Sequence, residues 1–292
     1  MSPFDRLTLR ARLISESPFG SSTPPVPDKL ANRRYGRIGR VPWSLGQTIL
    51  GTLFTLLPLL ALLIGSQLAA PSGGGPPAKP LTRTQDTVGA GIAFVSTVLL
   101  EGVLLLAPLL IAVARPAPRS SRREGLRALG FRGIGFFPLL GWLLAGLALA
   151  IAANFAYSLL TQMLHLPVQT NSDQLAKLAK YAPLTTLATL AGAVLIAPIC
   201  EEIFFRGFLE AGLLRNMNGV AAITLSALVF GVSHGDLGSF ALIVALGLVL
   251  GVARFTSGSL WPGLLIHTAN NALAAVVLLP VILPVLLPTA PH

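Results

Sequence analysis

Long uncharged apolar stretches alternate with short polar ones along most of the chain, and that alternation sets the predicted elements. Val41 to Ala78 carries no charged residue, and its central part, from about Gln47 to Ala69, is long enough for a first membrane-spanning helix. Pro71 to Pro80, rich in Pro and Gly, reads as a loop on the far side. A second span is predicted from about Thr87 to Ala114 and contains one acid, Glu101; a third lies within Phe136 to Leu164. Leu166 to Ala182 is more polar, and Asn171-Ser172-Asp173 ahead of Leu175, Leu178 and Ala179 predicts a capped helix lying in the membrane interface. Pro183 opens a fourth span, a fifth starts near Gly219, a sixth covers about Leu237 to Ala253, and a seventh starts at Trp261-Pro262. Beyond Pro280 the tail, broken by Pro284 and Pro288, is either a short eighth segment or a frayed end. The pattern predicts an all-α, polytopic membrane bundle of seven to eight transmembrane helices, without a soluble domain or an internal repeat.

Composition agrees with that reading. With 53% hydrophobic and 11% charged residues in 292, the chain is too apolar for an ordinary soluble domain. Its net charge of +10 comes largely from two blocks beside apolar segments: Arg6, Arg10, Arg12, Lys29, Arg33, Arg34, Arg37 and Arg40, then Arg115, Arg119, Arg122, Arg123, Arg127 and Arg132. No basic face interleaved with aromatics accompanies them, so the charge points to an anionic lipid surface and not to nucleic acid. The far-side loop has only Lys79 and Arg83, which orients the N-terminus to the cytoplasm, at the inner membrane in a bacterial cell. Trp43, Arg254 and Trp261 are expected at that cytoplasmic boundary. Residues 1–42 thus form a basic, Pro-containing arm without a signal-peptide core, and residues 43–288 a transmembrane domain whose chemistry-bearing part is 183–279. The single cysteine, Cys200, excludes an internal disulfide, and its apolar, acidic setting makes it an inert buried thiol.

One stretch conflicts with lipid. Glu201, Glu202 and Arg206 sit at the end of the apolar run from Tyr181 to Cys200, and a charge at the centre of a membrane helix costs about 2.5 to 3.5 kcal/mol even on lenient scales. Two later apolar runs supply partners: Phe230 with His234, and His267 with Asn271. Glu201 and His234 each lie roughly 24 to 26 Å along their helices from the turn at Arg215 to Gly219, so their depths match. His267 falls about 10 Å short on the same measure, which is resolved if the first hairpin projects into the cytoplasm with Arg206, Glu210 and Arg215 towards water. The site is then expected within the membrane, nearer its cytoplasmic face. His267 and Asn271 share a helical face, Glu202 and Arg206 can pair within a turn, and Glu201 points away and is free. Pro198 should kink the helix beside them. Gly247 and Gly251 allow close approach of a neighbour. A carboxylate beside an imidazole can move protons between a trapped water and a leaving amine, which assigns Glu201 and His234. An imidazole and a carboxamide on one face, His267 and Asn271, suit a developing oxyanion.

The order Glu-Glu-x-x-x-Arg, Phe-x-x-x-His and His-x-x-x-Asn on successive membrane helices resembles the CPBP family of intramembrane proteases: type II CAAX prenyl endopeptidases and the bacteriocin-processing or immunity proteins called Abi. The resemblance rests on Glu201, Glu202, Arg206, Phe230, His234, His267 and Asn271. It implies a glutamate-dependent endopeptidase without a cofactor, with Glu201 as base, His234 helping to activate water, and His267 with Asn271 stabilising the oxyanion. It also implies a membrane-associated peptide or a prenylated or otherwise lipidated protein as substrate. Two other readings use the same residues. In one, Glu201, His234 and His267 hold a zinc ion, although no His-Glu-x-x-His pair is present and Asn271 is left without a task. In the other, the chain is a non-catalytic immunity or scaffold protein. His234 alone is equally a core histidine bonded to a carbonyl, Asp236 reads as a loop-side cap, Asn154 and Phe204-Phe205 as packing residues, and Glu101 as a partner for Arg206 or a cavity residue.

Overall fold

The computed structural model describes residues 36–39, 41–69, 79–114 and 121–286, and among these it contains helices and no strand. The expected arm therefore lies mostly outside the described residues. Helix α1 spans Leu45–Ala69, α2 Arg83–Leu104 and the amphipathic α3 Arg122–Leu129. Helix α4 spans Phe136–Met163 and α5 Asn171–Ala179. Helix α6 covers Pro183–Leu213, α7 Gly219–Ser233, α8 Phe240–Ser257 and α9 Trp261–Leu286. All but α3, α5 and α7 are long and apolar enough to cross a bilayer. The expected eighth segment is the end of α9, which carries Pro280 and Pro284 inside it. What reads as one second span is α2 followed by a separate π-helical stretch, Pro108–Ala114.

Capping residues fix where the helices begin. Thr82, Ser121 and Thr170 each accept a hydrogen bond from the backbone three residues on, and Gln85, Glu124 and Asp173 reciprocate. The cap of α5 is thus Thr170, just before the expected Asn171-Ser172-Asp173 stretch, and Thr170's backbone and side-chain hydrogen bonds hold the Asp173 carboxyl below its ordinary range. The first turn of α6 has Pro183 at its start, and its exposed N–H groups are satisfied from another helix. Asp86 of α2 is buried and accepts from the Leu184 and Thr185 amides at 2.8 Å each, and from the Thr185 hydroxyl at 2.8 Å. Asp236 bonds the Asn171 and Ser239 amides, in keeping with its expected capping role. At the end of α8, Gly258 takes φ 72°, and a Cβ there would come within 2.7 Å of the Arg37 carbonyl, so only glycine fits.

Helix α6 is the centre of the bundle. From Glu201 to Leu213 every residue of it but Ile203 is buried, whereas α2 buries only Asp86 and Leu104 and α4 only Gly146 and Ala150, and large side chains of those two helices such as Val88, Leu144 and Phe155 face outward where lipid would lie. Its helical register breaks at Ile196, two residues before Pro198, which has no N–H for the Val194 carbonyl. It resumes as Ala197–Glu201 and then widens into a π-helix, Glu202–Glu210. Helix α8 packs on α7 through Gly247, against Ala227 and Phe230, and Gly251, against Ile223. Helix α7 is about 22 Å long at fifteen residues, short of a bilayer, because the chain leaves the helix at His234 and turns at Gly235 (φ 61°).

At the arginine-rich end, side chains expected at a boundary or in water are buried. Trp43 is buried against Phe208 with ring centroids 5.6 Å apart. Arg254, expected to mark a boundary, is buried, and so are Arg206 and Glu210, expected in water. The cause is a cover that periodicity does not reveal. Residues 36–39, 41–44 and α3 fold over this end: Arg37 donates its amide to the Phe255 carbonyl, and Arg215 bonds the Val41 and Trp43 carbonyls. Arg254 reaches the Ala128 carbonyl of α3 at 2.9 Å.

Candidate active site

The widened turn of α6, the end of α7 and the second turn of α9 bring the acid and imidazole residues of all three stretches together. Glu201 Oε1 is 3.8 Å from His234 Nε2, and Glu201 Oε2 is 3.5 Å from His267 Nε2. Glu202 Oε1 is 3.3 Å from His267 Nδ1 and 3.0 Å from Arg206 Nη1. The expected Glu202–Arg206 pair is therefore present, and it also holds the second face of the His267 ring. Glu201 is not free of partners. It stands between the two imidazoles, at separations longer than a good hydrogen bond.

His234 is oriented by its own helix. Its Nδ1 is 2.8 Å from the Phe230 carbonyl, so Nδ1 carries the proton and the lone pair of Nε2 points toward Glu201 in the neutral ring. His234 is thus bonded to a carbonyl through Nδ1, while its Nε2 faces Glu201. Phe230 is buried, with its ring centroid 4.7 Å from that of His234 and 5.8 Å from that of His267, and the Arg206 guanidinium lies 4.2 Å from its centre. This aromatic platform fixes both imidazoles and provides a cation–π partner that offsets part of the cost of burying Arg206. Arg206 Nη2 also donates to the Gly247 carbonyl at 3.4 Å.

Asn271 is placed differently from expectation. Its Nδ2 donates to the Ala193 carbonyl at 2.8 Å, at the break of α6, and its Oδ1 accepts from Asn270 at 3.3 Å. One N–H of the carboxamide is thus committed and one remains. Asn270 and Gly263 were not legible as site residues. Gly263 lies one turn before His267 on α9, where a Cβ would come within 2.5 Å of Glu202 Oε2.

These groups open onto a cavity of about 1320 Å³. That is larger than the roughly 300 to 1,000 Å³ of ordinary ligand pockets and leaves room for an extended peptide beside an apolar chain. Glu201, Phe230, His234, His267, Asn270 and Asn271 line it, and Glu101 and Asn154 line it too. Glu101 is therefore a cavity residue, and Asn154 bonds its own helix through the Ala150 carbonyl. Cys200 is buried and unbonded to any other cysteine. Among the described residues, no group of three or more His, Cys, Asp or Glu side chains is arranged to hold a metal ion.

Residues 183–273, which include all seven motif residues, match the family model described as Type II CAAX prenyl endopeptidase Rce1-like. No curated protein and no solved structure matches the chain. The match covers the motif-bearing 183–273 part of the chain and supports a relationship of that part to the CAAX/CPBP family of intramembrane proteases.

Proposed function

We propose that the protein is a glutamate-type intramembrane endopeptidase that hydrolyses a peptide bond near the C-terminus of a membrane-associated substrate. The observation that carries this reading is the pair Glu201 and His234. Their 3.8 Å separation is too long for a direct hydrogen bond and suits one water held between them, with both facing groups acting as acceptors. Such a water gives one hydrogen bond to Glu201 and the other to His234 Nε2, which raises the electron density on its oxygen.

Glu201 takes a proton from the water, and the oxygen attacks the carbonyl carbon of the scissile bond. Charge develops on the carbonyl oxygen, near the uncommitted N–H of Asn271 and near His267, which donates there from Nε2 as the doubly protonated ring. The C–N bond then breaks as Glu201 returns its proton to the leaving amine. Glu202 and Arg206 act by positioning: they hold His267 Nδ1, and so aim Nε2. No metal takes part in this sequence. A lipidated or prenylated protein is the substrate that the family's description favours, and a bacteriocin-type peptide requires the same chemistry.

The test is cleavage of a membrane-anchored reporter peptide by the purified protein in lipid. Wild type should cleave, and Glu201→Ala and His234→Ala should each lose at least about 100-fold in rate. If both variants keep full biological activity, the protein works by binding and the hydrolytic reading is wrong.

A further inference from the structure

The two ends of the bundle differ in charge and in packing, and the cavity uses only one of them. At one end stand Arg37, Arg122, Arg123, Arg127, Arg132 and Arg215, with Glu124 among them. At the other, Lys79, Arg83, Lys177 and Lys180 are nearly balanced by Asp86, Asp173 and Asp236. The seven further Lys/Arg between Arg6 and Arg40 precede α1, whose start is at the first end. By the excess of Lys and Arg, the first end is cytoplasmic.

The cavity runs the other way. From Glu201 and His267 it extends to Gln169, Asn171, Ser172 and Lys177, beside the start of α6, and none of the described residues at the arginine-rich end lines it. That end is filled. Phe204, Phe205, Phe208, Leu213 and Leu214 are buried between the site and the cytoplasmic turn, and the covering residues 36–39 and 41–44 lie beyond them. Along α6, Glu201 is about 27 Å from the helix start, so the route is long, and it is lined rather than packed. Ile151 and Val277, both exposed and both lining the cavity, give it a flank toward lipid.

We propose that the site is entered from the extracytoplasmic face, and that its substrate is a membrane-anchored peptide whose scissile segment lies on that side. The inference rests on the hydrolytic reading for what happens inside the cavity, but not for how the cavity is reached. The amide and hydroxyl groups at the mouth suit an extended peptide, whose backbone N–H and C=O groups need partners once they leave water. A lipidated C-terminus presented from the cytoplasm meets the filled end instead.

Impermeant thiol reagents decide it. The parent, whose single thiol at Cys200 is buried, is the unlabelled control. Ser172→Cys reports the mouth, Thr189→Cys the half-buried cavity wall, and Arg123→Cys the exposed arginine-rich end. With the full chain in a bacterial inner membrane, a charged methanethiosulfonate added to spheroplasts should modify Ser172→Cys and Thr189→Cys at least ten times faster than in inverted vesicles. Arg123→Cys should show the reverse. Reaction of Ser172→Cys or Thr189→Cys from the cytoplasmic face overturns the proposal. Labelling needs no turnover, so it is separable from catalysis. Cytoplasmic labelling with a Glu201-dependent protease refutes the entry route alone, whereas extracytoplasmic labelling with a fully active Glu201→Gln refutes the hydrolytic mechanism alone.

Discussion

Gly263 on α9 lies against the carboxylate of Glu202 on α6, so closely that a methyl group there would meet Glu202 Oε2 at 2.5 Å. The contact places the backbone of one helix where the carboxylate of another must turn toward His267. Gly263→Ala should therefore push Glu202 off the imidazole without replacing any motif residue. An error of about 1 Å in a positioned group costs on the order of 100-fold in rate. The expected outcome is a loss of that size in kcat with the protein still folded in detergent, measured by peptide cleavage beside thermal unfolding.

Arg206 has a structural task as well as a positioning one. It is fully buried, paired with Glu202 at 3.0 Å, and faces the Phe230 ring. Removing one member of a buried ion pair typically costs about 3 to 5 kcal/mol because the other charge is left behind. Arg206→Ala should thus lower the yield of folded protein, with a clear drop in unfolding temperature. Glu201→Gln, which removes no ion-pair partner of Arg206, should not.

Asp86 should matter for stability far from the chemistry. Its carboxylate caps the first turn of α6 through the Leu184 and Thr185 amides. Loss of a helix cap costs about 0.5 to 2 kcal/mol. Asp86→Ala should lower the unfolding temperature by several degrees, and Asp86→Asn should recover part of that loss by keeping one acceptor.

Much of this architecture was legible in the sequence, and what was hidden has a common cause. Apolar runs of span length need only local composition to be recognised, and a buried charge in such a run announces that partners exist elsewhere. Glu201, His234 and His267 were found in this way. Arg254 and Glu210 were misread because a charge near the end of a predicted span looks like a boundary marker unless the covering segment is known. That cover, residues 36–39, 41–44 and α3, comes from distant parts of the chain. The π-helix of α6 was equally hidden, since nothing in the sequence Glu202–Glu210 departs from an amphipathic α-helical pattern. Gly263 carries its meaning only through the helix opposite it.

The proposed chemistry asks nothing of a metal, which makes chelation a discriminating treatment. Cleavage in lipid should be unchanged after exhaustive treatment with a strong zinc chelator, and metal analysis should find far less than one equivalent per chain. Stoichiometric zinc together with chelator-sensitive activity would instead assign Glu201, His234 and His267 as ligands.

On the hydrolytic reading, Glu201 and His234 act on one and the same water. The most direct measurement compares kcat for Glu201→Gln, His234→Ala and the double variant on a single membrane-anchored peptide. Groups that act as a unit are strongly non-additive, so the double variant should be about as slow as the slower single variant. Rate losses that multiply in full would show that the two residues act independently, and would contradict a shared water.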